Sequence, residues 1–151
     1  MTLVGNQQAL VAEFSAIRDS QARLARVVER GRRHPPLAET QRVEANRVEG
    51  CLARLWLACE FRASGCHFAC DSDSAVVKGV AALLCEFYSG YAPAEIISVE
   101  PTFLAEIGIT QHLTANRRNA LTRVRETIRT FAQRQLKTSS SPNEPPSLRR
   151  A

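Results

Sequence analysis

Leu55-Trp56-Leu57-Ala58-Cys59-Glu60-Phe61-Arg62-Ala63-Ser64-Gly65-Cys66-His67-Phe68-Ala69-Cys70 is the stretch that decides the fold. Leu55, Leu57, Cys59 and Phe61 recur at every second position, and so do Cys66, Phe68 and Cys70, which is the period of two strands. The four residues between them, Arg62 to Gly65, suit a hairpin turn. Setting Phe61 opposite Cys66 places Cys59 opposite Phe68 and Leu57 opposite Cys70. In that register every apolar side chain of both strands shares one face, and a slip of one residue would destroy the match. A hairpin that is apolar on one side only needs helices to cover that side.

The helices are readable on either side of the hairpin. Downstream, Asp71-Ser72-Asp73-Ser74 offers N-cap residues and negative charge at a helix start. Val76, Val77, Val80, Leu83, Leu84 and Phe87 follow at helical spacing, with Gly90 placed to end the helix. Pro93 and Pro101 each suit the opening of a helical turn. A long last helix is predicted from Ala115 to about Leu136, with Leu121, Val124, Ile128 and Phe131 as its buried stripe. Upstream, Leu10, Val11, Phe14 and Ile17 mark one helix. Leu24, Val27 and Val28 mark a second, which starts near Asp19-Ser20 and is expected to end at Gly31 and Pro35-Pro36. Residues 37–50 read as loop. These elements predict an α+β fold: a small antiparallel sheet flanked by helices.

Residues 1–136 are expected to form a single domain. From Thr138 the sequence turns to Ser, Pro and Asn, so residues 137–151 are expected to be a disordered tail. The whole chain has 151 residues, 44% hydrophobic and 23% charged, which is ample for one core. No apolar run is long enough to span a bilayer, and no secretory signal is visible, so the cytoplasm is the expected location. The net charge of +5 comes mainly from Arg. These Arg are interleaved with Glu and lack an aromatic platform, so a solvated surface is favoured over a nucleic-acid-binding module.

Five cysteines, Cys51, Cys59, Cys66, Cys70 and Cys85, make an odd count that argues against a disulfide framework. Cys59, Cys66 and Cys70 lie on the inward face of the hairpin, where free cysteine packs as a small apolar side chain. A zinc site on Cys59, Cys66, His67 and Cys70 is disfavoured, because Cys66 and Cys70 on one strand stand about 13 Å apart. Zinc needs each sulfur within about 2.3 Å of the metal. In the same register Cys59 is a diagonal neighbour of Cys66 and Cys70, beyond comfortable bridging range. Cys85 falls beside the apolar stripe of its helix and reads as packing.

Cys51 differs. It follows Gly50, precedes the hairpin and sits in loop-like sequence, Arg47-Val48-Glu49-Gly50-Cys51-Leu52-Ala53-Arg54. Gly50 permits unusual backbone angles and close approach of a partner. Arg47 and Arg54 are near enough in sequence to favour the thiolate. Leu52 and Leu55 flank the cysteine and are apolar, so the loop is expected to fold inward. An ordinary thiol packed against the hairpin fits these residues equally well.

Three blocks resemble the SufE family of sulfur acceptors, the cysteine desulfuration proteins. Val48-Glu49-Gly50-Cys51 followed by Leu55-Trp56-Leu57 is similar to the family's Gly-Cys loop and Trp-containing strand. Asp71-Ser72-Asp73-Ser74-Ala75-Val76-Val77-Lys78-Gly79 is similar to its Asp-Ser-Asp turn and following helix. His112-Leu113-Thr114-Ala115-Asn116-Arg117-Arg118-Asn119-Ala120-Leu121 resembles the segment opening its last helix. The chain departs from the pattern at Leu52 and Ala53, where polar residues are common, at Ala115 and Asn116, and at Ala120, where Gly is common.

The resemblance implies a fold like that of iron–sulfur scaffold proteins, with Cys51 as the sulfur-accepting cysteine. It implies supporting or partner-binding roles for Gly50, Asp73 and Arg117. The expected partner is a pyridoxal-phosphate cysteine desulfurase, which this chain would stimulate as an accessory protein rather than act as a stand-alone enzyme. The chain itself would carry no cofactor and no metal, and an iron–sulfur scaffold would lie downstream.

Overall fold

A computed structural model describes residues 1–139. Among them, two strands and six α-helices form an α+β fold. Strands β1 (Leu55–Arg62) and β2 (Gly65–Ser72) pair antiparallel, with Leu57 opposite Cys70, Cys59 opposite Phe68 and Phe61 opposite Cys66. This is the register that the alternation requires. The turn is tighter than four residues: Arg62 already pairs with Gly65, leaving Ala63 and Ser64 as the two-residue loop. Both have positive φ, 51° and 64°. A type I′ turn demands this to match the strand twist, yet neither residue is of the kind that adopts it freely.

The buried face thins toward the turn. Leu57, Cys66, Phe68 and Cys70 are buried, whereas Phe61 is 40% exposed and Cys59 is half-buried. Cys59 therefore departs from the fully packed position expected of it. The reason is that the helices cover the hairpin mainly through α3 (Ala75–Tyr88) on β2, so the outer half of β1 runs past its cover. Burial still pushes the Cys59 thiol up to about 12, with Cys66 adding to the rise and Arg134 opposing it.

Helix α3 is the centre of the molecule, touching β2, α2 and α6. Ser74 caps it by accepting a hydrogen bond from the Val77 N–H at 3.3 Å, and ten of its fourteen residues are buried. Such all-round burial requires a partner on each side. One partner is α2 (Ser20–Arg33), capped by Asp19. Here a sequence expectation is corrected: Gly31 lies inside α2 and does not end it. A Cβ on Gly31 would stand 2.5 Å from the Gly79 Cα, and one on Gly79 would stand 2.9 Å from the Val28 Cα. The two glycines let the backbones of α2 and α3 touch. The helix stops at Arg33 because His34 precedes Pro35 and takes an extended ψ of 125°.

The remaining elements close the core. Helix α1 (Leu3–Ser15) buries Leu3, Leu10 and Phe14, and the short helices α4 (Pro93–Ser98) and α5 (Phe103–Glu106) lie against α6 and α1. Helix α6 (Ala115–Ser139) buries Leu121, Val124, Ile128 and Ala132. It runs three residues past the expected end at Leu136, so Lys137, Thr138 and Ser139 are helical rather than tail. The rest of the expected tail lies outside the described residues. Phe131 packs edge-on against Phe68, ring centroids 5.9 Å apart, and so offers no platform for a base. Residues 37–50 are irregular, apart from a 3-10 turn over Glu44–Asn46 and an isolated bridge from Arg47 to Trp56. No helix of the described residues is long and apolar enough to cross a membrane.

Candidate functional site

Cys51 sits on a short loop between two clamps. At the upstream end, Gly50 adopts φ +82°. The Asn119 amide on α6 donates a 2.7 Å hydrogen bond to the Gly50 carbonyl, and the Arg123 guanidinium lies where a Gly50 Cβ would meet it at 3.2 Å. At the downstream end, the Arg54 N–H donates to the Asp73 carboxylate at 3.0 Å. The Asp73 N–H returns a bond to the Arg54 carbonyl at 3.2 Å, and the Ser72 hydroxyl donates to that same carbonyl at 2.6 Å. Below the loop, the Val48 N–H donates to the Leu55 carbonyl at 2.8 Å and closes its base. Cys51, Leu52 and Ala53 thus span the gap between α6 and the start of α3 with both ends held.

The structure brings Gly50, Cys51, Asp73 and Arg117 into one neighbourhood. Cys51, Leu52 and Ala53 line a cavity of about 270 Å³ with Ser74, Val77, Thr114, Asn116, Arg117 and Ala120. Ser74 is the N-cap of α3 and Val77 lies in its first turn. Asn116 and Arg117 belong to the first turn of α6, and the hydroxyl of Thr114, just before it, accepts from the Arg117 N–H at 3.3 Å. Two helix N-termini therefore open onto the cysteine's cavity, and their partial positive charge favours an anion there. Arg117 supplies a half-buried guanidinium to the same space.

The thiol is balanced between opposing influences. Partial burial raises its pKa, the charges of Arg123 and Arg47 draw it down, and Glu49 pushes it up again, with burial prevailing. Arg54, expected to help the thiolate, instead turns to Asp73, with its Nε 3.7 Å from the carboxylate. Arg123 takes the place assigned to it. The inward fold expected of Leu52 is corrected: it is 82% exposed, while Leu55 is fully buried. Leu55 has already entered the strand and its inward face. Leu52 lies on the span between the clamps, where nothing reaches over it. Asn119 and Arg123 were not singled out from sequence; Asn119 stands inside the third quoted block, but its partner is 69 residues away.

Beside the loop a second cavity, of about 550 Å³, is lined by Arg47, Glu49, Cys59, Arg123, Glu126 and Arg134 among others. Among the described residues, no group of three or more His, Cys, Asp or Glu is arranged to hold a metal ion.

The fold and the loop together define a class: a small α+β protein that offers one clamped, half-buried cysteine at the meeting point of two helix N-termini. The chain belongs to the SufE family, whose description is "Fe-S metabolism associated domain" and which it matches over residues 8–132. It is 28% identical over 131 residues to an uncharacterized SufE-like protein of Synechocystis sp., a match that covers 87% of this chain and 82% of that one. In structure it is similar to a hypothetical protein from Thermus thermophilus, with a TM-score of 0.72 and 19% identity. That match covers 87% of this chain and 96% of the other, and is evidence for the fold. Membership gives the chain a sulfur-transfer accessory role in Fe–S metabolism, in a family generally associated with cysteine desulfurases.

Proposed function

We propose that this protein takes persulfide sulfur from a pyridoxal-phosphate cysteine desulfurase onto Cys51 and passes it on for iron–sulfur cluster assembly. The observation that carries this reading is the Cys51 loop, held at both ends over a cavity that two helix N-termini and Arg117 make favourable to an anion. A persulfide is a stronger acid than its parent thiol, so it gains more from such a site than the thiol does.

The transfer is a thiol exchange. The Cys51 thiolate attacks the outer sulfur of the desulfurase persulfide; the bond between the two partner sulfurs breaks, and the partner's cysteine leaves as thiolate. The product is a persulfide on Cys51, and no net oxidation occurs. Rate follows thiolate fraction and access. The clamped loop limits both in the free protein, since burial raises the thiol pKa. Docking of the desulfurase frees the loop, and the exposed Leu52 beside the cysteine offers it an apolar hold. Gly50 gives the loop its positive-φ pivot, and Asp73 anchors its far end. The cofactor belongs to the partner, and the setting is the cytoplasm.

The test is desulfurase turnover, read as alanine released from cysteine. The intact chain is expected to raise turnover several-fold, and Cys51→Ser to give no stimulation while keeping its melting temperature. Equal stimulation by both chains would overturn the proposal.

A further inference from the structure

The two edges of the hairpin are not alike. On β2, the backbone groups of Cys66, Phe68 and Cys70 point away from β1, and each finds a partner. The Cys66 N–H donates to the Tyr91 carbonyl at 2.9 Å, the Phe68 N–H to the Ser89 hydroxyl at 2.9 Å and the Cys70 N–H to His34 Nε2 at 3.3 Å. In an antiparallel pair, a residue whose backbone points outward lies opposite one that also points outward. Cys66, Phe68 and Cys70 lie opposite Phe61, Cys59 and Leu57. Those three therefore present their backbone N–H and C=O along the outer edge of β1.

The chain before the Cys51 loop covers only the beginning of that edge. The Val48 N–H reaches the Leu55 carbonyl at 2.8 Å, and Arg47 bridges to Trp56. Upstream of Arg47 the segment enters the 3-10 turn over Glu44–Asn46. Among the described residues, nothing bonds to the outward backbone of Cys59 or Phe61. Beside this edge lies the cavity of about 550 Å³, lined by residues 45–49, by Leu57 and Cys59 of β1, and by α6 from Arg123 to Arg134. Its charge is uneven. Arg47 and Arg123 each have a carboxylate at 3.7 Å, from Glu44 and Glu126, and Glu49 adds a negative charge at the loop end. Arg134 is exposed and has no ion-pair partner among the described residues. It stands about 16 Å beyond Arg123 along the helix axis.

We propose that this groove docks an extended acidic segment of the sulfur donor, which adds a strand to the outer edge of β1 and sets a carboxylate against Arg134. The inference rests on the reading of Cys51 as sulfur acceptor and names how the donor is held. Alternate residues of the segment bond to Cys59 and Phe61, which are about 7 Å apart along the strand. Glu49 repels a carboxylate at the loop end, so the acidic residue sits at the Arg134 end. A second copy of this chain suits the groove poorly, since each copy carries a net charge of +5. Arg123 lines the groove and also packs against Gly50, so a segment held there lies beside the Cys51 loop.

The experiment follows amide hydrogen exchange at Cys59 and Phe61 in the full chain, alone and with excess pyridoxal-phosphate cysteine desulfurase. Sulfur on Cys51 is read by mass with the same proteins after cysteine is added. Both amides are expected to exchange quickly in the free chain and about ten-fold or more slowly in the complex. Desulfurase turnover against chain concentration gives a second reading. Phe61→Pro removes the outward N–H at an edge position where proline is tolerated, and Phe61→Ala keeps it. Phe61→Pro is expected to need about five-fold more chain than Phe61→Ala for half-maximal stimulation, the worth of one backbone hydrogen bond. Arg134→Gln is expected to raise that concentration about three-fold over the parent, and Arg134→Lys to restore it. Maximal stimulation and melting temperature should change little in the Arg134 variants. If Cys51 takes up sulfur while both amides stay unprotected in the complex, the acceptor reading stands and the groove proposal is wrong. Protection that appears in the free chain and grows with its concentration would mean that a second copy fills the edge, which also overturns it. If no sulfur reaches Cys51, both readings fall together.

Discussion

The Asn119 side chain and the Gly50 carbonyl are joined by a 2.7 Å hydrogen bond that ties the last helix to the residue before Cys51. The bond is solvent-exposed, so its net worth is about 1 kcal/mol, which corresponds to roughly a five-fold change in an opening equilibrium. Asn119→Ala should therefore raise the rate of Cys51 alkylation by a small reagent about five-fold, with little effect on global stability. An unchanged rate would show that this contact does not restrain the loop.

Arg123 acts on the same loop by charge and contact. It is the larger of the two cationic influences that lower the Cys51 pKa, and it packs against Gly50. Burial has already placed the thiol above its ordinary value, so the alkylation rate should still be climbing with pH where a free cysteine has levelled off. Removing the charge with Arg123→Gln should move that rise to higher pH, and Arg123→Lys should restore part of the difference. A profile for Arg123→Gln that shifts to lower pH would mean that contact with Gly50, rather than charge, is the main effect.

The crossing of α2 and α3 predicts a stability effect far from the site. A methyl group on Gly31 would meet the Gly79 backbone at 2.5 Å, and backbone cannot rotate away. Gly31→Ala gains helix propensity but must spread the two helices, so a net loss of about 2 kcal/mol is expected in denaturant unfolding. A Gly31→Ala chain as stable as the parent would show that α2 can lift from α3 without cost.

The hairpin turn predicts the opposite sign. Ala63 and Ser64 both hold positive φ, at a cost on the order of 1 kcal/mol each. The double substitution Ala63→Asn, Ser64→Gly supplies the residues that a type I′ turn favours and should stabilise the chain by about 1 kcal/mol or more. A lower unfolding midpoint would argue against this turn geometry.

The hairpin and α3 were legible because their signals are local. A period of two fixes which residues face inward, and the mirrored cysteines and phenylalanines leave one workable register. What could not be read depends on partners distant in the chain. Gly31 before two prolines looks like a terminator until Gly79 is seen against it. Leu52 looks inward-facing until the clamps on either side hold its loop above the surface. Arg54 and Arg123 exchanged roles for the same reason: Asp73 captures the first, and α6 delivers the second to Gly50 from far along the chain. Cys70 and Cys85 could be assigned to the core, but the hydrogen bond from the Cys70 N–H to His34 arises only when β2 and the end of α2 converge.

The central claim is that sulfur lands on Cys51. Its most direct test is the mass of the intact chain after incubation with a cysteine desulfurase and cysteine, followed by peptide mapping without reductant. The account predicts a gain of one sulfur atom, located on the peptide containing Cys51 and absent from Cys51→Ser. Sulfur found on Cys59, Cys66, Cys70 or Cys85, or an equal mass gain in Cys51→Ser, would contradict it.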